Sequence, residues 1–179
     1  MPSEAHQRLQ PALLDRLSDE RRMDRSEGEE QRVMSKAALR QAVLRDLGAL
    51  FNAVQALDRR DAEAYPELAG CVLNFGLPPL SGQLASKLEL ADLEAAIRRA
   101  ILRFEPRILA ETLEVRALEQ DSVLDTHNVL EFEISGHLWS TPVPLEMLLR
   151  TQLDLESGQV KLRDALGGAV RAATSPPSP

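Results

Sequence analysis

The hydrophobic period of this chain changes at Phe104-Glu105-Pro106-Arg107, and that change sets the fold class. Before it, apolar residues recur every three or four positions, as on one face of a helix. After it they alternate, as in half-buried strands. Proline lacks an amide hydrogen and pushes the residue before it out of the α region, so a helix must stop here. Glu105 is therefore expected to be extended, with Glu105 and Arg107 on the same side as a stiff clip that presents an acid beside a base. Helices followed by strands imply an α+β domain, with helices packed on one face of a small antiparallel sheet of about four strands.

The elements follow from the same periods. Ser35 can cap a helix in which Leu39, Val43, Leu47, Leu50, Phe51, Val54 and Leu57 share one face. Asp58 to Glu63 reads as a charged turn. Tyr65-Pro66 opens a short helix with Leu68, Val72 and Leu73 inward, and Asn74, Gly76, Pro78, Pro79 and Gly82 break it into a loop. A second long helix runs from about Ala91 to Phe104, its apolar face made by Leu93, Ile97, Ala100, Ile101 and Phe104. Arg98, Arg99 and Arg103 fill its last turns, where cations favour the helix dipole. Beyond Pro106, Leu113, Val115 and Ala117 form one strand, and Leu130, Phe132 and Ile134 another. The second continues to Leu138 and Trp139 past a bulge at Gly136. Leu149, Thr151, Leu153 and Leu155 lead into a turn at Glu156-Ser157-Gly158-Gln159 and a last strand with Val160 and Leu162.

Three zones differ in composition. Residues 1–34 are polar and highly charged, with one apolar patch at Leu13, Leu14 and Leu17 at helical spacing. They read either as a short amphipathic helix with a linker or as a frayed terminus. Residues 35–164 form the folded unit, and 165–179, ending Ser-Pro-Pro-Ser-Pro, read as a disordered tail. With 44% hydrophobic residues but only 3% aromatics, the core must be built from Leu, Val, Ile and Ala. The formal charge of −7 argues against a nucleic-acid partner, since phosphate binding needs a basic surface. No window reaches the length of a membrane span, and the N-terminus lacks the apolar core of a signal peptide. The single Cys71 cannot form an internal disulfide, which fits a reducing cytosol.

Catalytic chemistry finds little support. A cell-wall hydrolase would need two carboxylates at defined separation, with Glu105 as acid and Glu131 or Asp154 as the second group. Arg107 beside Glu105 would lower its pKa, the wrong direction for a general acid. Glu131, Glu133 and Asp154 fall on the polar side of alternating strands. His6, His127 and His137 lack metal-type spacing, and His127 reads as a turn residue before a strand. Cys71 lies among apolar residues and reads as a buried, inert thiol. No phosphate loop or nucleophile motif is present, and no cofactor is expected. Trp139 reads as a core or edge residue, with an interface anchor as the alternative.

Binding is the better lead. The last strand, with Val160 and Leu162, is expected at the sheet edge, where unpaired backbone can accept another strand. Lys161 and Arg163 are the only visible protection, and an ordinary charged edge is the competing reading. The Leu13-Leu14-Leu17 patch is a second candidate, as a helix that docks into a groove.

Several blocks in order resemble a known family. They are Val33-Met34-Ser35, Cys71-Val-Leu-Asn-Phe-Gly-Leu-Pro78, Arg103-Phe-Glu-Pro-Arg107, His127-Asn-Val-Leu-Glu-Phe-Glu-Ile134 and Leu149-Arg-Thr-Gln-Leu-Asp-Leu-Glu-Ser-Gly158. Together they resemble the lysozyme-like baseplate wedge family of contractile phage tails, in its type VI secretion (TssE) branch. Leu13-Leu14-Asp15-Arg16-Leu17 resembles the leading motif of that branch, so the likeness spans roughly residues 11–164. The resemblance implies a non-enzymatic structural subunit of a cytoplasmic baseplate docked at the inner membrane. It implies contacts to other wedge subunits through Glu105, Pro106 and Arg107. It further implies an edge offered to contractile sheath subunits, where sheath assembly starts.

Overall fold

The computed structural model describes residues 35–57, 59–79, 90–118 and 129–166. The Leu13-Leu14-Leu17 patch, the link from Glu119 to Asn128 with His127, His6, and the tail from residue 167 lie outside them.

Helix α1 spans Lys36–Phe51, and the Ser35 side chain accepts the Ala38 amide at 3.1 Å as its N-cap. The helix is shorter than the apolar spacing suggested. Asn52 closes it by donating its backbone N–H to Gly48 O, and Val54 beyond is 65% exposed. Arg59–Ala64 forms a short helix, α2, where a turn was expected; with no Gly or Pro in the stretch, nothing breaks it. Pro66–Ala69 forms the four-residue α3, and Leu90–Phe104 forms α4. Four strands follow: β1 Glu114–Ala117, β2 Val129–Leu138, β3 Leu145–Asp154 and β4 Val160–Asp164.

The sheet is antiparallel throughout, in the order β1-β2-β3-β4, so β4 lies at an edge as expected. The expected bulge at Gly136 does not occur: the β2–β3 register runs unbroken through Gly136 opposite Met147. A Cβ at Gly136 would lie 3.4 Å from the Thr112 carbonyl oxygen, an ordinary contact, so the strand does not require glycine there. Strand alternation puts Phe132, Ile134, Leu138, Met147, Leu149 and Leu153 on one face, all buried. The apolar faces of α1 (Leu39, Val43, Leu47, Leu50) and α4 (Leu93, Ile97, Ala100, Ile101) cover that face. α4 packs beside β1 and α1 beside β4. The expected α+β arrangement, helices on one face of a four-stranded antiparallel sheet, is the observed one.

The segment between α1 and α4 departs most from expectation. Val72 is 80% exposed and Leu73 77%, and Leu68 is exposed too, while the polar Asn74 is buried. Asn74 takes the interior because its amide serves two backbones: Nδ2 donates to Ala69 O at 3.1 Å and Oδ1 accepts the Leu57 N–H at 3.1 Å. Cys71 is half-buried rather than enclosed. Gly76 has φ +133°, and a Cβ there would sit 2.4 Å from Ala53 O, so no other residue fits without rearrangement. Its neighbour Leu77 donates to Ala53 O and accepts from Gln55 N, both at 2.9 Å, and pins the chain leaving α1.

Candidate functional site

The chain around Pro106 is a turn, not an extended clip. Glu105 N–H closes α4 by donating to Ile101 O at 2.8 Å, and Ile108 N–H returns to Glu105 O at 3.2 Å. Proline at the second position of such a turn is favoured because its φ is preset. The turn is then stitched to the end of β2: Trp139 N–H donates to Arg107 O at 2.8 Å and Leu109 N–H to His137 O at 2.9 Å.

Glu105 and Arg107 do meet, but the acid is not presented. Glu105 is 3% exposed, and Arg107 folds back over it in a two-pronged pair, with Nε to Oε1 at 2.6 Å and Nη2 to Oε2 at 2.5 Å. The same Nη2 reaches Asp46 Oδ2 on α1 at 2.6 Å. This forked geometry is one that guanidinium matches and ammonium does not. Hydrogen bonding to Glu105 holds the Arg107 pKa above its ordinary value against the opposing effect of burial, with Asp46 adding in the same direction. Three parts of the fold are thereby locked at one point: α1 through Asp46, the end of α4 through Glu105, and the turn through Arg107.

Beside this lock lies an open groove of about 470 Å³, lined by Leu39, Asp46, Leu47, Ala49 and Leu50 of α1 and by Phe75, Phe104, Glu105, Pro106 and Arg107. Phe75 and Phe104 meet edge to face in its wall, with ring centroids 5.2 Å apart at 69°. Arg103, one turn back, donates Nε to Gly70 O at 2.6 Å and ties the end of α3 to α4. Phe75 of the Asn74-Phe-Gly-Leu-Pro78 block and Phe104 to Arg107 of the Arg103-Phe-Glu-Pro-Arg107 block thus meet at one groove, although about thirty residues separate them. Asp46 was not singled out by sequence reading. It sits at a polar position of α1, 61 residues from Arg107, where no local signal marks it.

The carboxylates considered for hydrolysis are not brought together. Glu105 lies at the Leu138 end of β2, where Ile108 bridges Leu138. Glu131 and Asp154 lie at the other end, Asp154 opposite Val129. Seven strand residues put roughly 20 Å between them, beyond the spacing of paired glycosidase carboxylates. Glu131 accepts from Gln152 at 2.7 Å, and Glu133 faces Arg150 at 3.7 Å, both on the solvent side of the sheet. Asp154 Oδ1 accepts the Glu156 and Ser157 amides at 2.9 and 3.1 Å. These bonds organise the hairpin turn and lower its pKa. Trp139 is exposed, just past the end of β2.

The β4 edge is better guarded than its sequence suggested. In an antiparallel pair, alternate residues turn their backbone groups inward and outward. Asp154 N–H to Gln159 O and Ala165 N–H to Leu148 O fix the phase, so Val160 and Leu162 point outward. Asn52, just after α1, takes both groups of Val160: its Nδ2 donates to Val160 O at 2.9 Å and its Oδ1 accepts Val160 N–H at 3.0 Å. At the other end Arg40 donates to Glu146 O at 2.7 Å and pairs with Asp164 at 3.4 Å. Leu162 lies between, and its N–H and C=O make no hydrogen bond among the described residues.

These features define a class: an α+β protein with two long helices on a four-stranded antiparallel sheet and a charge-locked groove where the helices meet the sheet end. The sequence model of the family described as baseplate wedge protein gp25 matches residues 37–143, and the chain belongs to that family. A structural role in a phage-tail-like baseplate follows from that membership. Comparison with curated proteins and with solved structures gave no match. Among the described residues, no helix is long and apolar enough to cross a membrane.

Proposed function

We propose that this chain is a structural wedge subunit in the baseplate of a type VI secretion system, cytoplasmic and docked at the inner membrane. In this reading it binds other wedge subunits through the groove at Glu105, Pro106 and Arg107. It joins baseplate to sheath at the β4 edge around Val160 and Leu162, where sheath assembly is templated. The Leu13-Leu14-Leu17 segment is a further partner contact. The observation that carries the reading is the convergence of Phe75 and Phe104–Arg107 on one preorganised apolar groove with an ion-paired rim. A rigid groove loses little conformational entropy on binding, which favours a permanent assembly contact.

The test must spare the Glu105–Arg107 pair, because that pair is internal. Ala49 lines the groove from an exposed helix position, so Ala49→Arg fills the groove without entering the core. The variant should keep its unfolding midpoint and lose co-purification with the wedge subunits. Leu162→Pro removes an outward N–H and leaves the β3–β4 ladder intact. It should lose sheath docking and keep wedge binding. Normal wedge co-purification by Ala49→Arg would refute the groove assignment, and normal sheath assembly by Leu162→Pro would refute the edge assignment.

A further inference from the structure

The β4 edge carries information about what can pair with it. Its solvent-side residues are Lys161 and Arg163, both exposed. Arg163 stands directly across from Arg150 in the β3–β4 register, and Lys161 across from Gln152. Like charges opposite one another in a sheet are unfavourable. Arg150 leans toward Glu133 at 3.7 Å, whereas Arg163 has no acidic partner among the described residues. Two cations thus stand on one sheet edge of a chain whose formal charge is −7; Lys161 also acts on the Asp154 carboxylate at the hairpin end, which leaves Arg163 as the cation without an acidic partner. The pairing slots of that edge are unequal as well: Asn52 fills the slot at Val160, and the slot at Leu162 is open.

Resting on the assignment of β4 as a docking edge, we infer that the edge selects an extended acidic segment with an acid–apolar–acid centre, in a register set by Asn52. The apolar residue pairs through its backbone with Leu162 and lies on the helix-covered side of the sheet. Its two neighbours point to the solvent side, where they meet Lys161 and Arg163. Pairing in line with Val160 requires the Asn52 amide to leave, so Asn52 marks where the added strand stops. The Asn52 amide acts here as one residue's worth of strand, since it offers one donor and one acceptor to the edge.

The experiment uses the full chain and capped nine-residue peptides whose centres read Glu-Val-Glu, Lys-Val-Lys or Glu-Pro-Glu. Binding is read by fluorescence anisotropy, and pairing by hydrogen exchange at the Leu162 amide. The Glu-Val-Glu peptide should bind and slow Leu162 exchange, and the other two should not. Arg163→Glu should weaken Glu-Val-Glu binding about fivefold and strengthen Lys-Val-Lys binding. Asn52→Ala should extend protection to Val160 and tighten Glu-Val-Glu binding. Equal binding of Glu-Val-Glu and Lys-Val-Lys, both slowing Leu162 exchange, would overturn the acidic preference and leave the edge assignment standing. Failure of every peptide to protect Leu162 would overturn both. Protection that stays at Leu162 alone in Asn52→Ala, with unchanged affinity, would overturn the register claim.

Discussion

Arg107→Ala is the substitution whose cost the structure defines most closely. It removes the three charge-assisted hydrogen bonds to Glu105 and Asp46. Glu105 stays behind at 3% exposure with no cation over it. Removing one partner of a buried ion pair costs about 3–5 kcal/mol, mainly for the stranded charge. Arg107 is itself 25% exposed, so water reaches the vacated space, and the expected loss is near the lower end, about 3 kcal/mol. That is a large share of a domain stability of about 5–15 kcal/mol. In urea it should lower the unfolding midpoint by roughly 1–3 M with the slope unchanged. Asp46→Ala loses the pairs that a 33% exposed carboxylate makes to Arg107 and, at 2.9 Å, to the adjacent Arg45, and should cost about 0.2–1 kcal/mol. Glu105→Leu combined with Arg107→Met removes both charges together and should recover most of the loss. A loss below about 0.5 kcal/mol in Arg107→Ala would show that the pair is screened by solvent and contributes no lock. The same reasoning bears on charge reversal: Glu105→Arg would set two cations together in a buried site and would report on folding before it reported on any partner.

Two further outcomes can be measured directly. Gly76→Ala forces a Cβ to within 2.4 Å of Ala53 O at φ +133°, and should cost about 2 kcal/mol or more in thermal or urea unfolding. Asp154 has a folded pKa below the ordinary 3.8 because the Ser157 and Glu156 amides donate to it. Its contribution is therefore present above that value and is lost as pH falls through the folded pKa. Amide exchange in β4 should accelerate over that acid window in the parent protein, and Asp154→Asn should flatten the dependence.

What the sequence made legible was whatever a period could carry. Leu93, Ile97 and Ile101 repeat over fifteen uninterrupted residues, and α4 stands almost where the pattern put it. Phe132 and Ile134 alternate with acids and lie in the core. Leu68, Val72 and Leu73 imitate the same helical spacing, but Pro66 and Gly70 leave a helix of only four residues, so there is no continuing face to bury. The interior position went instead to Asn74, whose amide satisfies two backbones that no apolar residue could serve. At the candidate site, Glu105, Pro106 and Arg107 were legible because they adjoin a helix end. Phe75 was visible only as part of the Cys71–Pro78 block, without its place in the groove, and Asp46 was not visible at all, since both roles depend on distant pairing. Glu105's burial ran against its residue type and could be seen only with Arg107 folded over it.

The two sheet edges show how a short antiparallel sheet is kept from becoming adhesive, and where the docking site proposed on β4 fits between its guards. Each long helix covers the sheet and also sends polar side chains to the neighbouring edge. From α4, Glu94 accepts the outward Ala117 N–H of β1 at 2.6 Å, and Arg98 reaches Leu113 O at 3.5 Å. From α1 and its cap, Arg40 and Asn52 hold the two ends of β4. Edges guarded this way resist indiscriminate strand addition. The difference lies in charge. On β1, Arg116 is matched by Glu114 at 2.7 Å, so that edge is neutral in itself. On β4, Lys161 and Arg163 carry the same sign, and Arg163 faces Arg150. Backbone accessibility alone would make Val115 and Leu162 comparable slots. Arg163, which has no acidic partner among the described residues, sets β4 apart, and the acidic strand proposed to pair there would relieve its repulsion with Arg150.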